Sequence, residues 1–346
     1  MLSPTPTDLM ARACADLRVG LPVAVGGVLL ASVETLGAAR LDALRDQGDL
    51  ILTLSGRRAE TLKARAYDGD VARIAVPKDA DLTWLRAVAD PANDLRAPMK
   101  GPLPTLRGGD CTPWRTGIAL AKAAQLLPAV VGTVAPAPDG ITHLPAALPP
   151  IDMQVPDFVA AARVPLVVER QSRVQVFRDG SEEHYAIEIG LVDRARPVLT
   201  RLHSACFTGD VLGSLKCDCG PQLHAAMQAM ADAGGGVLLY LDQEGRGIGL
   251  ANKMRAYDLQ DQGFDTVEAN HRLGFEDDER DFRLGAGLLR RTGIGAVRLM
   301  TNNPRKIAMM QAQGIDVAER VPLHVGRTAD NAAYLDVKRA KSGHLE

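Results

Sequence analysis

Three cysteines fall within fourteen residues, in the stretch Cys206-FTGDVLGSLK-Cys217-Asp-Cys219. Such a cluster suits zinc, which takes thiolate or imidazole ligands in a tetrahedron, and a C-x-C pair can supply two of them from one turn. Cys206, further back in the chain, can close on that pair through a loop. Three protein ligands leave a fourth position for water, the pattern of a catalytic zinc. His203 or His224 as a fourth ligand would instead make a closed structural site. The polar neighbours Lys216, Asp218 and Gly220 make this a poor piece of core.

A second group, Gln243-Glu244-Gly245-Arg246-Gly247-Ile248-Gly249, lies between the strand-like run GVLLYL and a helix-like one. Glycines let a backbone approach a ligand, and a helix start favours an anion. The Arg246 guanidinium is a fork suited to phosphate. The Glu244 carboxylate could bond a ring with adjacent N–H donors, as guanine has. The spacing is not that of a dinucleotide fingerprint, and standing alone the motif reads as a glycine-rich turn.

Thr301-Asn302-Asn303-Pro304-Arg305-Lys306 is a third group, again from strand to helix. Hydroxyl, amide and ammonium groups there can hold phosphate; an Asn cap with two solvated cations reads equally well. The fourth, Glu276-Asp277-Asp278-Glu279-Arg280-Asp281, has the character of a solvated acidic face. Its useful feature is an acid two residues from an arginine, near Asn270 and His271.

These groups need a scaffold, and the pattern around them is α/β. A helix is expected at 8–19, with Leu9, Ala13 and Leu17 on one face, followed by the strand LPVAVGG and the helix LDALRDQG closed by Gly48. The strand DLILTLSG, a helix at 58–66 and the strand VARIAVP follow. From Pro91 to Pro156 Pro and Gly become frequent around an Ala/Leu helix at 117–128. The run APAPDGITHLPAALPPIDMQVPD is the expected linker.

Beyond it, VPLVVERQSRVQVFR and EEHYAIEIG read as paired strands, and PVLTRLHS as a strand leading into the cysteines. Next come the helix QLHAAMQAMADAGGG, the buried strand GVLLYL and the helix GLANKMRAYDLQDQG. The strand AVRLM, the helix TNNPRKIAMMQAQG and the strand IDVAERVPL close the pattern. The expected fold is α/β (α+β) in two domains. Residues 1–163 form a smaller α/β domain ending in the Pro-rich linker. Residues 164–346 form a mixed sheet flanked by helices and carrying the zinc site.

Composition narrows the partners. Lys+Arg 40 against Asp+Glu 42 gives a net charge of −2, and neither part is a polyelectrolyte: 17 basic and 17 acidic residues precede Val164, 23 and 25 follow. Nucleic acid is therefore not an expected partner. Aromatics at 4% argue against a base-stacking surface. No apolar run approaches the ~20 residues of a membrane span, so no membrane partner is expected. The N-terminal stretch carries acids early and lacks a basic segment ahead of an apolar core, unlike a secretory signal. Five cysteines, three of them clustered, suit a reduced, cytoplasmic setting rather than a disulfide framework.

Taken together the motifs are similar to a known family. RLHSACFTGDVLGSLKCDCG, LDQEGRGIGLANKMRAYDLQDQGFDTVEANHRLGFEDDERDF, LMTNNPRKI and VPLHVGR closely resemble GTP cyclohydrolase II of riboflavin biosynthesis, in order and spacing, over roughly residues 164–346. That family opens the guanine imidazole ring of GTP, expels formate and releases diphosphate. The resemblance implies one zinc ion per chain on Cys206, Cys217 and Cys219, with its water attacking the carbon between the two imidazole nitrogens. It implies that Tyr257 assists ring opening and deformylation. Asp278 would be the proton acceptor and Arg280 the proposed nucleophile at the α-phosphorus. A guanidinium is protonated at physiological pH, so stabilising the phosphoryl transition state is an equally good physical role for Arg280.

By the same resemblance the GTP contacts are Arg201, Leu202, His203, Ser204, Ala205, Gln222, Glu244, Gly245, Arg246, Thr266, Thr301 and Lys306. Magnesium is expected on the triphosphate, and a homodimer as the assembly. One departure stands inside the site: Ala205 occupies a position where the family often has Glu, which leaves any contact there to the backbone. The competing readings are a nucleotide-binding regulator built on an inactive enzyme and a paralogue acting on another purine or pyrimidine. The presence of all three cysteines with Tyr257, Asp278 and Arg280 argues against the regulator.

The stretch RVGLPVAVGGVLLASVETL faintly resembles the start of dihydroxybutanone phosphate synthase, often fused ahead of this family. The acid- and arginine-rich loop of that enzyme is missing, since Gly26, Gly27 and Val28 lead straight into an apolar run. Residues 1–163 are therefore expected to lack that catalysis.

Overall fold

The computed structural model describes residues 2–148, 155–180 and 182–332. The chain begins α1 (Pro6–Arg18), β1 (Val23–Val25), β2 (Val28–Ser32), α2 (Ala38–Gln47), β3 (Ile51–Ser55) and α3 (Gly56–Thr61). β4 (Val71–Ala75), α4 (Leu82–Ala89), α5 (Thr112–Ala123), β5 (Ala129–Val134) and β6 (His143–Leu144) follow. Four strands come next: β7 (Asp157–Arg163), β8 (Ser172–Asp179), β9 (Glu182–Gly190) and β10 (Val198–Ser204). The rest alternates: α6 (Cys219–Asp232), β11 (Gly235–Leu241), α7 (Gly249–Asp261), α8 (Thr266–Leu273), α9 (Arg283–Arg291), β12 (Ala296–Met300), α10 (Pro304–Ala312) and β13 (Asp316–Val321).

Two compact units result. The first is Met1–Ile151 with Gly247–Glu279, the second Asp152–Arg246 with Arg280–Glu346. This division differs from a single cut after residue 163. β7, ahead of that cut, pairs with β8 in the second unit. α7 and α8, well after it, bury Ala256, Leu259, Ala269 and Leu273 in one cluster with Leu127 and Phe275 of the first unit. The Asn252 side chain also donates to the Gln125 carbonyl at 2.8 Å.

The first unit holds a six-stranded sheet in the order β4-β3-β5-β2-β1-β6. Its pairings are antiparallel except β1 with β6. Both faces are covered: Leu29 and Ala31 join one apolar cluster, Val28 and Leu30 the other. A strand buried on both sides reads as an unbroken apolar run, which is how residues 28–31 look in the sequence. Gly26 and Gly27 link β1 to β2 in two residues with φ of 54° and 84°, the left-handed pair that a tight hairpin needs. β6 lies within the expected linker as an edge strand; residues 149–154 of that linker lie outside the described residues.

The second unit holds a seven-stranded sheet in the order β13-β12-β10-β11-β9-β8-β7. β10 to β13 run parallel and β7 to β9 are antiparallel additions, the mixed sheet expected. Val237, Leu239 and Leu241 face one core with α9; Leu238 faces the other with Ala226 and Met230 of α6. Ligands of such sheets bind beyond the carboxyl ends of parallel strands. Those ends of β10, β11 and β12 lead into the cysteines, the glycine-rich group and Thr301–Lys306.

Three expected boundaries moved for local reasons. Residues 164–171 are not strand: Pro165 brings no N–H, and Leu166 donates to the Glu169 carbonyl at 3.0 Å to close a turn before β8. The helix expected at 117–128 starts earlier, with Pro113 in its first turn, and stops before Gln125, which sits at a φ of 59°. The helix expected at 58–66 ends at Thr61, with Lys63 left-handed at a φ of 55°.

Candidate active site

The cysteine cradle is built at the end of β10. Ala205 donates its N–H to the Leu241 carbonyl at 2.8 Å, prolonging the pairing of β10 with β11. The N–H of Ala205, where the family often has Glu, is thus already engaged. The chain then winds into a short π-helical turn, Phe207–Val211, while Cys219 opens α6. The ligand atoms of Cys206, Cys217 and Cys219 lie within 4.8 Å of one another, and the Cys206 and Cys217 sulfurs are 3.7 Å apart. A tetrahedral ion with zinc–sulfur bonds of ~2.3 Å has edges of ~3.8 Å.

The rest of the cradle fits the same group. The Gly209 N–H donates to the Cys206 sulfur at 3.4 Å. A Cβ on Gly209 would stand 2.7 Å from the Cys217 sulfur and 3.1 Å from that of Cys206, so only glycine passes here without displacement. The Cys206 sulfur pushes the Cys217 and Cys219 thiols above their ordinary pKa; burial adds to both, and Cys217 raises Cys219 further while Cys219 partly offsets the rise at Cys217. Crowded thiols resist joint ionisation, and a divalent cation reverses that balance. Among the described residues the group contains no imidazole. His203 Nε2 faces Asp210 at 3.0 Å, and His224 Nδ1 faces the Gly220 carbonyl at 2.9 Å. The donor set fits zinc with one open position.

Asp210 anchors this turn. Its carboxylate accepts the Cys206 N–H at 3.0 Å and the Tyr240 hydroxyl at 3.0 Å, and it faces His203. The His203 ring stacks on Tyr240 at 5.5 Å. Burial pushes the His203 pKa down, and burial followed by the Asp210 charge pushes that of Tyr240 up. Neither Asp210 nor Tyr240 stood out in the sequence; Asp210 was visible only as part of FTGD, and Tyr240 as one more apolar strand residue.

The expected GTP contacts divide by what they already hold. Arg201 is buried, bonds the Gln222 amide oxygen, and burial lowers its pKa to about 10. Gln222 in turn bonds Asp218, so the pair braces the C-x-C turn. The Arg201 Nε has no partner among the described residues. The Leu202 side chain is in the core, and its carbonyl accepts the Lys306 ammonium at 2.9 Å. Glu244 accepts the Phe207 N–H at 2.6 Å and the Gly245 N–H at 2.8 Å, tying the glycine-rich turn to the cysteine loop. Gly245 and Arg246 are both left-handed, with φ of 62° and 64°; for Arg246 that is a strained position.

A cationic patch flanks the cradle. Arg280 donates to the Ser204 hydroxyl at 3.3 Å, and its guanidinium lies 4.8 Å from the Phe282 ring centre. The Lys306 ammonium lies 5.0 Å from the same ring. Thr301 accepts the Asn303 N–H at 3.1 Å, and Asn303 caps α10. Phe282, which packs both cations, had no signal in the sequence.

The second unit thus brings together the cysteines, Arg201–Ala205, Gln222, Glu244–Arg246, Arg280, Thr301 and Lys306. Tyr257, Thr266 and Asp278 belong to the first unit. Tyr257 is on α7, 5.8 Å from the Lys253 ammonium. Thr266 opens α8 and accepts the Gln260 amide at 3.2 Å. Asp278 lies in the turn after α8.

Known proteins are similar to this chain in sequence. The GTP cyclohydrolase II family model matches residues 158–322. A GTP cyclohydrolase-2 of Azospirillum brasilense is 40% identical over 360 residues, spanning 98% of this chain and 90% of that one. The chain belongs to the GTP cyclohydrolase II family. A GTP cyclohydrolase-2 of Neisseria meningitidis serogroup A is 52% identical over 189 residues, 55% of this chain and 96% of its own. A solved two-domain 3,4-dihydroxy-2-butanone 4-phosphate synthase from A. baumannii covers 91% of this chain at 15% identity and a TM-score of 0.30, too slight a likeness to bear on the fold. The family is one of hydrolases. Residues 247–279 lie inside the family-matched stretch and also inside the compact unit built by 1–151. No helix among the described residues is long and apolar enough to cross a membrane.

Proposed function

We propose that this protein hydrolyses GTP in a zinc-dependent reaction to 2,5-diamino-6-(5-phosphoribosylamino)pyrimidin-4(3H)-one, formate and diphosphate, the first step of riboflavin biosynthesis. The three-cysteine cradle with its open fourth position carries this reading. Cys206, Cys217 and Cys219 would hold the ion, which when bound supplies a water acidic enough to act as nucleophile near neutral pH.

The chain's own groups account for the rest. Asp210 fixes the Cys206 backbone, and Arg201 with Gln222 braces the C-x-C turn. Arg246, Thr301 and Lys306 supply charge and hydrogen bonds for the triphosphate, which would carry magnesium. Arg280, stacked on Phe282, is best suited to stabilise charge at the α-phosphorus, because a guanidinium keeps its proton. Tyr257 has a phenol that can pass a proton either way during ring opening and deformylation, and Asp278 accepts one.

Residues 1–163 are read as non-catalytic, since a two-residue glycine turn stands where a synthase would carry its acidic loop. Assembly as a homodimer and a cytoplasmic location belong to the same reading. Pure protein incubated with GTP, zinc and magnesium should yield formate, diphosphate and the pyrimidine together. Absence of all three from a zinc-loaded preparation would remove the proposal.

A further inference from the structure

The acidic run around Asp278 is not a free solvated face. Glu276 accepts the Arg57 Nε at 2.9 Å and Nη2 at 2.7 Å. Asp277 faces His271 Nε2 at 2.8 Å. Glu279 accepts the Lys122 ammonium at 2.6 Å and, through the same oxygen, the Glu276 N–H at 2.8 Å. Asp278 is therefore the centre of a four-residue turn whose three other carboxylates are each engaged. Two of the three partners, Arg57 on α3 and Lys122 on α5, come from the first 151 residues, which the proposed chemistry does not otherwise use.

The two ion pairs differ in weight. Arg57 and Glu276 have side chains 38% and 51% exposed, whereas Lys122 and Glu279 are 24% and 22% exposed. Exposed pairs are screened and fix geometry weakly. The Lys122 pair is the more sheltered, and its carboxylate also closes the turn on itself. Arg57, Lys122 and Glu276 line a cleft of about 680 Å³, with room for altered side chains without collision. The packing beneath is tight: a Cβ on Gly274, just before the turn, would stand 2.7 Å from the Ser55 hydroxyl.

We propose that Lys122, supported by Arg57, is a positioning residue for Asp278, so that the N-terminal 151 residues, without a catalytic group of their own, hold an acid of the GTP reaction in place. This rests on the reading of Asp278 as proton acceptor. The test is steady-state turnover of GTP by the full-length, zinc-loaded protein. Lys122→Met should lower kcat about tenfold, the scale of a slightly misplaced catalytic group, with KM for GTP and zinc content unchanged. Arg57→Met should lower it less. Lys122→Arg should restore most of the rate. The exchanged pair Lys122→Glu with Glu279→Lys should exceed either single reversal.

Thermal melts of each variant separate misfolding from misplacement, and the rescue variants remain decisive if Lys122→Met melts early. Wild-type kcat in both Lys122→Met and Arg57→Met would overturn the positioning role. So would a loss that neither Lys122→Arg nor the exchanged pair recovers. An inactive wild type, or an Asp278→Asn variant with normal turnover, would instead strike the functional reading itself.

Discussion

Tyr240 gives its hydroxyl to the Asp210 oxygen that also receives the Cys206 backbone N–H, both at 3.0 Å. One buried carboxylate thus joins a strand-end phenol to the first metal-ligand candidate. Groups in this relation to a ligand orient it, and losing one commonly costs about 10–100-fold in metal affinity or activity. Asp210→Ala is expected to bind zinc in that range more weakly, as read by chelator competition. Tyr240→Phe, which removes one donor and leaves the Cys206 bond in place, should lose far less. Equal affinities in wild type and Asp210→Ala would mean that the carboxylate serves folding alone.

Gly209 makes a sharper test of the cradle. Its hydrogen faces two sulfurs, and an added methyl would stand 2.7 Å from that of Cys217. Gly209→Ala should fold, because the residue is not in a left-handed conformation, yet hold little metal. Cys217→Ser and Cys219→Ser should lose zinc and GTP turnover together, against about one zinc per chain in wild type. Metal content by elemental analysis decides this, and full activity in a zinc-free preparation would end the zinc assignment.

Much of this site was legible in the sequence because it is local. C-x-C with a third cysteine nearby, and motifs at strand-to-helix junctions, declare themselves by residue type and spacing. The mixed sheet also followed from apolar runs such as GVLLYL and AVRLM. What could not be read was long-range. Nothing in EDDERD shows that Lys122, 157 residues from Glu279, answers one of its charges. Nothing in the helix after the glycine turn shows that Leu259 packs with Leu127 rather than within its own half. The compact units divide elsewhere than at residue 163 for that reason. Glu244 likewise suits a ligand by residue type and spacing, while the fold first employs it on two backbone N–H groups.

The division of chemistry between Tyr257 and Arg280 can be read from partial reactions. Tyr257→Phe keeps the ring and removes only the proton-bearing oxygen, so formate and pyrimidine formation should fall more than diphosphate release. Arg280→Ala should impair diphosphate release. Arg280→Lys keeps the positive charge but loses the fork and the stacked plane. If it releases diphosphate nearly normally, attack by the guanidinium is untenable and charge stabilisation stands. Deformylated product at the wild-type rate from Tyr257→Phe would cancel the role given to the phenol.

His184 sets an acid limit on the second unit. It is buried on β9, its Nδ1 accepts the Asp242 N–H at 3.1 Å, and burial lowers its pKa to about 4. An unfolded histidine titrates near ~6.5, so between those values the unfolded chain carries a proton that the folded one refuses. Stability is then fully present above ~6.5 and falls as pH drops toward 4, by about 1.4 kcal/mol per unit. From pH 6.5 to 5 the loss should be about 2 kcal/mol. His184→Gln keeps an acceptor for Asp242 and takes up no proton. Urea unfolding of both proteins at the two pH values should show the variant losing less by that amount. Metal loss and carboxylate titration act on both alike and cancel in the difference. Parallel acid slopes for wild type and variant would show that His184 is protonated in the folded protein and that its burial is not what limits stability.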